Sequence, residues 1–378
     1  MRKAIFTSIV LSLSLAAAGT PSETWEIEKQ IEAVFGIVER SAEGTIIGID
    51  LARERASTTN DAVIAALSVP RLKRFRIAGG SIDTDSLSSL ATQHDLEELY
   101  LQDVPLHDAQ WQRLLGNHSN LSRLTLRRLS NLSDAALGKL PQRLPALRNL
   151  SLIEMELTGA ALADIAKSEV LAALDVRHCG RLTADDYRCL YSMPKLVDLK
   201  IGGFAVTDDV LREIAPLRFL RGLTIDDALI TPEGLEKFAT DSASADKLET
   251  LVLSRNSALF DHSLFSLKEF PNLKRLTVNG MMVTGSFLEL LADEETTRPK
   301  LHRLSLRRTF LSQEGMTALK RYPELRILDL SGVALMPEWI DTVVTLNLLE
   351  ELDVTECGLS EDILQRLELL PSLKRFVR

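Results

Sequence analysis

A hydrophobic motif that recurs along most of the chain constrains its fold more than any other feature. The pattern Leu-x-x-Leu-x-Leu, in which Ile, Val or Phe can replace Leu, begins fourteen times between Ile46 and Leu373. Successive starts are 24 to 28 residues apart. Self-similarity at this period is typical of one supersecondary unit that is repeated and stacked, so the chain is expected to form a solenoid.

Alternation within the motif predicts a β-strand. In Leu196-Val-Asp-Leu-Lys-Ile201, Leu199 and Ile201 can point inward while Asp198 and Lys200 point away from the core. A unit of this size cannot bury both of its flat sides alone, so neighbouring copies must stack and place their strands side by side. The sequence therefore predicts a long parallel sheet.

A second signature follows each strand and predicts a short helix. In Val206-Thr-Asp-Asp-Val-Leu211, Thr207 is placed as the helix N-cap. Asp208 and Asp209 then fall in the first turn, where negative charge is favoured by the helix dipole. Each repeat is thus predicted to contain one strand and one short helix.

These two signatures resemble those of the leucine-rich-repeat family, and the resemblance covers residues 45–378. The helical second half is similar to the cysteine-containing subtype, and the chain resembles exported bacterial members of the family. The resemblance implies an α/β solenoid with a parallel β-sheet on the concave face and short α-helices on the convex face. It implies about 13 full repeats plus a partial one.

The N-terminus has the layout of an export signal. Arg2 and Lys3 precede an apolar stretch from Ala4 to Ala18, which is short for a bilayer span and ends in small residues. Residues 1–18 are therefore predicted to be a cleavable signal peptide, with an uncleaved membrane anchor as the alternative. The mature chain is expected to be secreted or periplasmic and to contain no transmembrane segment.

Residues 19–44 are predicted to form an N-terminal capping helix. Five apolar residues in this segment fall on one face at helical spacing: Ile27, Ile31, Val34, Phe35 and Val38. Such a face would cover the exposed apolar side of the first repeat. An amphipathic helix that binds a partner is the alternative interpretation.

The stretch His178 to Leu190 contains a histidine, two of the three cysteines and the pair Asp185–Asp186. These are groups that bind zinc. The repeat register places Cys179 in a buried packing position, which Phe204 takes in the next repeat, and it places the two aspartates in a first helical turn. Cys189 falls on the helix layer. The stretch is therefore predicted to be scaffold, and a metal site or a Cys179–Cys189 disulfide is the alternative.

Charge and motif content exclude several functions. The net charge of −9 argues against nonspecific nucleic-acid binding. The six histidines are scattered, and the sequence contains neither a nucleophile elbow nor a glycine-rich phosphate loop. The chain is therefore predicted to be no enzyme and to use no cofactor or metal.

The outward positions of the strands carry more Lys and Arg than Asp and Glu, and these cations fall into two groups. We call Arg123, Arg127, Arg128 and Arg148 the first basic band. We call Lys274, Arg275, Arg303, Arg307 and Arg308 the second basic band. Together with Tyr100, the one aromatic residue placed on this face, they are the predicted binding residues for a protein or other anionic macromolecular surface. A merely solvated sheet face is the alternative.

Three functional hypotheses follow. The first is a non-catalytic protein-binding scaffold of the secreted or periplasmic compartment that recognises its partner through the concave β-face. The second is a passive structural or adhesive component of the cell envelope. The third is the substrate-recognition subunit of an intracellular ubiquitin-ligase-type complex, which conflicts with the signal peptide. The sequence leaves open the partner, the oligomeric state, whether another chain covers the last strand, and the role of insertions at 240–247 and 292–300.

Overall fold

A computed structural model describes residues 21–53, 56–79, 81–116, 118–293 and 300–378, so the predicted signal peptide, residues 1–18, lies outside the described residues. Within these ranges, fifteen strands, β1 to β15, form one sheet in chain order. The pair β1 and β2 is antiparallel, and every later pair is parallel. The long parallel sheet is therefore confirmed.

The fourteen motifs contribute the fourteen strands β2 to β15, which are parallel to one another. The strands are β1 (Ile37–Arg40), β2 (Ile46–Leu51), β3 (Arg74–Ala78), β4 (Glu98–Gln102), β5 (Arg123–Arg127), β6 (Asn149–Ile153), β7 (Ala173–Asp175), β8 (Asp198–Gly202), β9 (Gly222–Asp226), β10 (Thr250–Val252), β11 (Arg275–Thr277), β12 (Arg303–Ser305), β13 (Ile327–Asp329), β14 (Glu351–Asp353) and β15 (Arg375–Val377). Among the described residues only β1 precedes the first motif, so it was not predicted.

Helical segments alternate with the strands. The α-helices are α1 (Pro21–Ala33), α2 (Asn60–Ser68), α3 (Asp108–Leu114), α4 (Asp134–Gly138), α5 (Leu140–Arg143), α6 (Gly159–Ile165), α7 (Asp208–Ile214), α8 (Pro232–Asp241), α9 (Phe287–Asp293), α10 (Gln313–Ala318), α11 (Ile340–Val344) and α12 (Glu361–Glu368). Five further segments are 3₁₀-helical: Thr84–Thr92, Ala184–Ser192, Asp261–Glu269, Leu319–Arg321 and Pro337–Trp339. The outer segment is thus an α-helix in some repeats and a 3₁₀-helix in others. Among the described residues no helix is both long and apolar enough to cross a membrane.

One ladder of buried side chains runs through the sheet. Leu124, Leu150, Leu174 and Leu199 are register partners on successive strands, and each is at most 1% exposed. The ladder continues in both directions through Ile49, Phe75, Leu99, Leu223, Leu251, Leu276, Leu304, Leu328 and Leu352. The predicted inward positions therefore form a continuous dry core.

The two layers have different widths, and this difference gives the stack its curvature. Parallel strands lie about 4.8 Å apart, whereas a helix with its side chains is about 10 Å across. The helix layer must therefore follow the longer path, and the strands line the concave side. The arrangement is a leucine-rich-repeat solenoid.

The N-terminal segment is a helix followed by a strand rather than one capping helix over residues 19–44. Helix α1 ends at Ala33 because Phe35 adopts a left-handed backbone with φ of 59° and the amide of Gly36 donates to the Ile31 carbonyl at 2.9 Å. The chain then reverses into β1. Ile31 is fully buried, but Phe35 is 66% exposed, so Phe35 does not belong to the buried face. Helical spacing alone does not reveal this left-handed turn.

Several first-turn aspartates join consecutive repeats. Asp208, the first residue of α7, accepts hydrogen bonds from the Thr231 amide at 2.8 Å and from the Thr231 hydroxyl at 2.7 Å. Thr231 is the N-cap of α8 in the next repeat, and its hydroxyl also accepts from the Gly234 amide at 3.1 Å. Equivalent contacts link Asp108 to Ser133, Asp134 to Thr158, and Asp261 to Thr284. These carboxylates therefore connect neighbouring helix ends as well as favouring their own helix.

The packing position of Cys179 is a hydrogen-bonding position as well as an apolar one. The Cys179 thiol donates to the Leu152 carbonyl at 3.0 Å, and the Asn256 side chain donates to the Ile225 carbonyl at 2.9 Å, each in the preceding repeat. The prediction that Phe204 is buried is wrong, because its ring is 73% exposed. Its predecessor Gly203 has φ of 89°, outside the 52–59° of the non-glycine residues at this place, and turns the chain differently.

Candidate functional site: the strand face

We define the strand face as the solvent-facing side chains of β2 to β15. In β5 the side chains alternate: Leu124 and Leu126 are fully buried, whereas Arg123 is exposed and Arg127 is half-buried. The parallel register places equivalent outward residues beside each other on neighbouring strands. Charges about 25 residues apart in the chain therefore become direct neighbours, which decides which cations are available to a partner.

A column of left-handed residues marks the edge where strands pass into the helical layer. Their φ values lie between 52° and 59° in Asp103, Arg128, Glu154, His178, Asp227, Arg255, Arg308 and Glu356. Glycines take this place in other repeats, at Gly203, Gly280 and Gly332. The sequence reasoning missed this column, although glycine recurring at one repeat position is a signal for positive φ. The column presents charged side chains at the edge of the strand face.

Ion pairs within the sheet neutralise most of the first basic band. Arg128 contacts Asp103 at 2.6 Å and Glu154 at 3.4 Å, and Arg127 contacts Glu154 at 2.6 Å. Arg123 contacts Glu98 at 2.8 Å. Three of the four predicted arginines therefore have carboxylate partners.

The same contacts shift the ionisation of the carboxylates. The hydrogen bond from Arg128 lowers the pKa of Asp103. Burial by itself would raise the pKa of Glu154, but hydrogen bonds from Arg127 and Arg128 outweigh it and the pKa is lowered. The carboxylates consequently stay ionised, and these arginines are held by their own sheet at neutral pH.

Two carboxylates that lie between the two bands, Asp175 and Asp226, are also paired. Asp175 and Asp226 are only 5% and 4% exposed. Arg177 donates to Asp175 at 2.8 and 2.9 Å and lies 3.6 Å from Asp226, and Arg255 contacts Asp226 at 2.5 Å. The hydrogen bond to Asp175 raises the pKa of Arg177. This network contains two carboxylates and two guanidinium groups, so its charges balance.

The second basic band is different. Arg275 and Arg303 are register partners on β11 and β12, and both are exposed. Within the described ranges, no ion pair joins either of them, or the exposed Arg307, to a carboxylate, and Arg275 donates only to the Thr250 hydroxyl at 2.7 Å. Like charges directly opposite each other in a sheet are unfavourable unless an anion lies between them. These three guanidinium groups can therefore donate hydrogen bonds to an external carboxylate.

The remaining members of the second band are partly compensated. Lys274 lies 3.6 Å from Glu249, which also pairs with Arg221. Arg308 lies 3.4 Å from Glu356, and both side chains are more than 60% exposed. Such exposed pairs contribute little and exchange readily with other anions. The second band therefore keeps a positive excess.

Tyr100 is held against the N-terminal part of the strand face. The Arg76 guanidinium carbon lies 4.4 Å from the centre of the Tyr100 ring, and the Tyr100 hydroxyl donates to Gln102. Arg76 in turn lies 3.3 Å from Asp50. Tyr100 belongs to β4, seven strands before β11, so it is not part of the second basic band.

The stretch 178–190 is distributed over two layers. The Cys179 thiol lies in the core, whereas the Cys189 thiol donates to the Asp186 carbonyl at 3.0 Å in the helical layer. All three cysteines are free thiols. Burial raises the pKa of Cys179 to about 12 and the pKa of Cys189 to about 11. Among the described residues no group of three or more His, Cys, Asp or Glu side chains is arranged to hold a metal ion.

The predicted binding residues are therefore spread along the strand face, and Tyr100 and the second basic band lie seven strands apart.

No protein-family model matches the sequence, and no curated protein matches it. Among solved structures, the chain is similar to the crystal structure of an internalin (InlF) from Listeria monocytogenes, with 16% sequence identity and a TM-score of 0.44. This match covers 93% of this chain and 94% of the internalin chain.

Proposed function

We propose that this chain is a non-catalytic protein-binding scaffold that acts in the secreted or periplasmic compartment and binds its partner through the concave strand face. The observation that supports this most is the group Arg275 and Arg303 on the sheet and Arg307 just after β12, which are exposed and have no carboxylate partner among the described residues. The first basic band, in contrast, is largely satisfied within the sheet. We therefore assign binding to the second band and sheet stabilisation to the first.

The chemistry of the second band favours an anionic protein surface. A guanidinium group is planar and binds a carboxylate through two parallel hydrogen bonds. Arg275 and Arg303 are adjacent in register, so one acidic segment lying across the strands can bridge both. Such contacts also speed association and make it depend on ionic strength.

Export is part of the proposal and rests on residues 1–18. We expect the protein recovered from cells to begin near Gly19 and to be found outside the cytoplasm, because a short apolar segment after two cations is recognised and removed during secretion. N-terminal sequencing after cell fractionation measures both points. A full-length chain in the cytoplasm would contradict this part and favour the intracellular recognition subunit.

Charge reversal tests the binding site. We expect the variant Arg303→Glu, Arg307→Glu, Arg308→Glu to weaken partner binding by at least about tenfold, since each reversed charge removes an attraction and adds a repulsion. The partner is first captured from the secreted or envelope fraction and identified, and its affinity for both proteins is then measured by surface plasmon resonance at several salt concentrations.

The control variant changes the net charge equally on the helical side. Lys139→Glu, Lys237→Glu, Lys320→Glu replaces three exposed cations there and is expected to bind as the unmodified protein does. Equal affinities of the two triple variants would show that the second basic band is not the binding site. A lower melting temperature of the band variant alone would reveal a structural role instead.

A further inference from the structure

Six consecutive repeats of the C-terminal half each expose a large apolar side chain at one edge of the solenoid. The edge is the one where the strands β8 to β13 pass into the helical layer. These residues, which we call the apolar rim, are 48% to 73% exposed: Phe204, Leu229, Phe260, Met282, Phe310 and Met336. Large apolar side chains gathered on one surface mark an interaction site more often than scattered ones do.

In the described residues, the repeats that precede them have no such rim. At the same edge, the repeats of β3 to β7 expose Ser81, Pro105, Asn131, Glu156 and Arg181. The core does not require the rim side chains either, because the neighbouring residues Ile230, Val283 and Leu311 are already at most 7% exposed. The exposure of the apolar rim is therefore a property of the C-terminal half and not a consequence of the repeat geometry.

Backbone hydrogen bonds join adjacent loops of the apolar rim at two places. The Leu229 amide donates to the Val206 carbonyl at 2.8 Å, and the Phe310 amide donates to the Val283 carbonyl at 3.0 Å. With neighbouring repeats about 4.8 Å apart, six of them span about 24 Å. This length matches about seven residues of an extended peptide or about sixteen residues of a helix.

The apolar rim adjoins the second basic band. Arg307 lies three residues before Phe310, at the end of the strand face, and it has no carboxylate partner within the ranges that the structure describes. Arg275 and Arg303 lie farther across the strand face, five residues or about 16 Å before the edge residues Gly280 and Arg308. A partner that covers the rim and enters the concave side meets both apolar and cationic groups.

Building on the proposed function, we propose that the apolar rim and the second basic band form one docking surface for an acidic amphipathic segment of a partner protein. Aromatic or aliphatic side chains of the segment cover the rim, and its carboxylates bind the arginines. A flat bilayer resting on the rim reaches Arg307 but not Arg275 or Arg303 on the curved face. A second copy related by a two-fold axis places two cationic bands against each other, which is unfavourable.

The test uses three fluorescent peptides of equal length and the full chain. The first peptide has Leu and Phe on one side and Glu on the other; the second has Lys for every Glu; the third keeps Glu but has Ser and Gln for Leu and Phe. They are titrated with the unmodified protein and with two double variants. The rim variant carries both Met282→Ser and Phe310→Ser, and the arginine variant carries both Arg303→Glu and Arg307→Glu. Phe219→Ser is the matched control, because Phe219 is 52% exposed at the opposite edge.

We expect the first peptide to bind best, and both double variants to weaken its binding by about tenfold or more. The rim variant should not alter the binding of the third peptide, and Phe219→Ser should alter none. Loss of binding in the arginine variant alone would overturn the rim assignment and leave the proposed function standing. If neither variant weakens binding, or if the first peptide does not bind the unmodified protein, the assignments of the apolar rim and of the second basic band as binding surfaces are both wrong.

Two further measurements distinguish other occupants of the rim. Vesicles of phosphatidylglycerol that bind the unmodified protein but not the rim variant would show that the rim contacts membranes, and would overturn the proposal. A dimer in sedimentation velocity that the rim variant abolishes would show that the rim binds a second copy, with the same consequence. The melting temperature of the rim variant should stay unchanged, since its two side chains are more than 60% exposed.

Discussion

Replacing Leu199 by Asp is expected to unfold the repeats around β8 and to lower the free energy of unfolding by about 4 kcal/mol or more. Leu199 is fully buried between Leu174 and Leu223, its register partners on the neighbouring strands. A carboxylate at this buried position loses its hydration, which is costly for an unpaired charge. Because each repeat is stabilised mainly by its neighbours, we expect the damage to spread to the repeats on both sides.

Hydrogen exchange and chemical denaturation measure this effect. We expect amides of β7, β8 and β9 to lose protection, while amides near β3 and β13 keep most of theirs. The control is Thr224→Asp on β9, which introduces the same side chain on the outward side, opposite Lys200. That variant should change the stability by less than about 0.5 kcal/mol. Similar losses in both variants would contradict the assignment of the buried face.

Replacing Asp208 by Ala is expected to lower the free energy of unfolding by about 1–3 kcal/mol. The change leaves the amide and hydroxyl of Thr231 without their acceptor, and that hydroxyl is also the cap of the next helix. The loss should appear as a lower denaturation midpoint and as faster exchange of the Gly234 amide. It tests whether the carboxylate connects two repeats or only favours its own helix.

The neighbouring Asp209 supplies the matched control. Both residues lie in the first turn of α7, but among the described residues Asp209 pairs only with Arg212 on the same helix, with both side chains more than half exposed. Asp209→Ala should therefore cost less than about 0.5 kcal/mol. If the two variants lose equal stability, the helix dipole explains both and the link between repeats contributes nothing measurable.

The strand-face residues show how far sequence reasoning reaches toward a binding site. Alternation placed Arg123, Arg127, Arg275 and Arg303 on the outward side, and the exposed or half-buried side chains agree. It did not show that Arg127 and Arg128 share Glu154, because ionic contacts depend on the register between strands in different repeats. The assignment of binding to these residues stays a prediction.

The errors have local conformational causes. Phe204 was placed in a buried position by counting from the strand, but Gly203 changes the backbone direction and exposes the ring. Phe35 was placed on a helical face, but its left-handed backbone ends the helix before it. Counting within a repeat assumes regular dihedral angles, and both positions depart from them.

The sequence by itself determined the period, the strand positions and the inward ladder that includes Leu199, because burial of apolar side chains repeats with the chain and needs no long-range information. Only the tertiary structure decided which arginines are free and which exposed apolar residues lie together. Those properties arise between repeats: Glu154 reaches Arg127, and the Phe310 amide reaches the Val283 carbonyl, only after stacking brings residues about 25 positions apart within a few ångströms of each other.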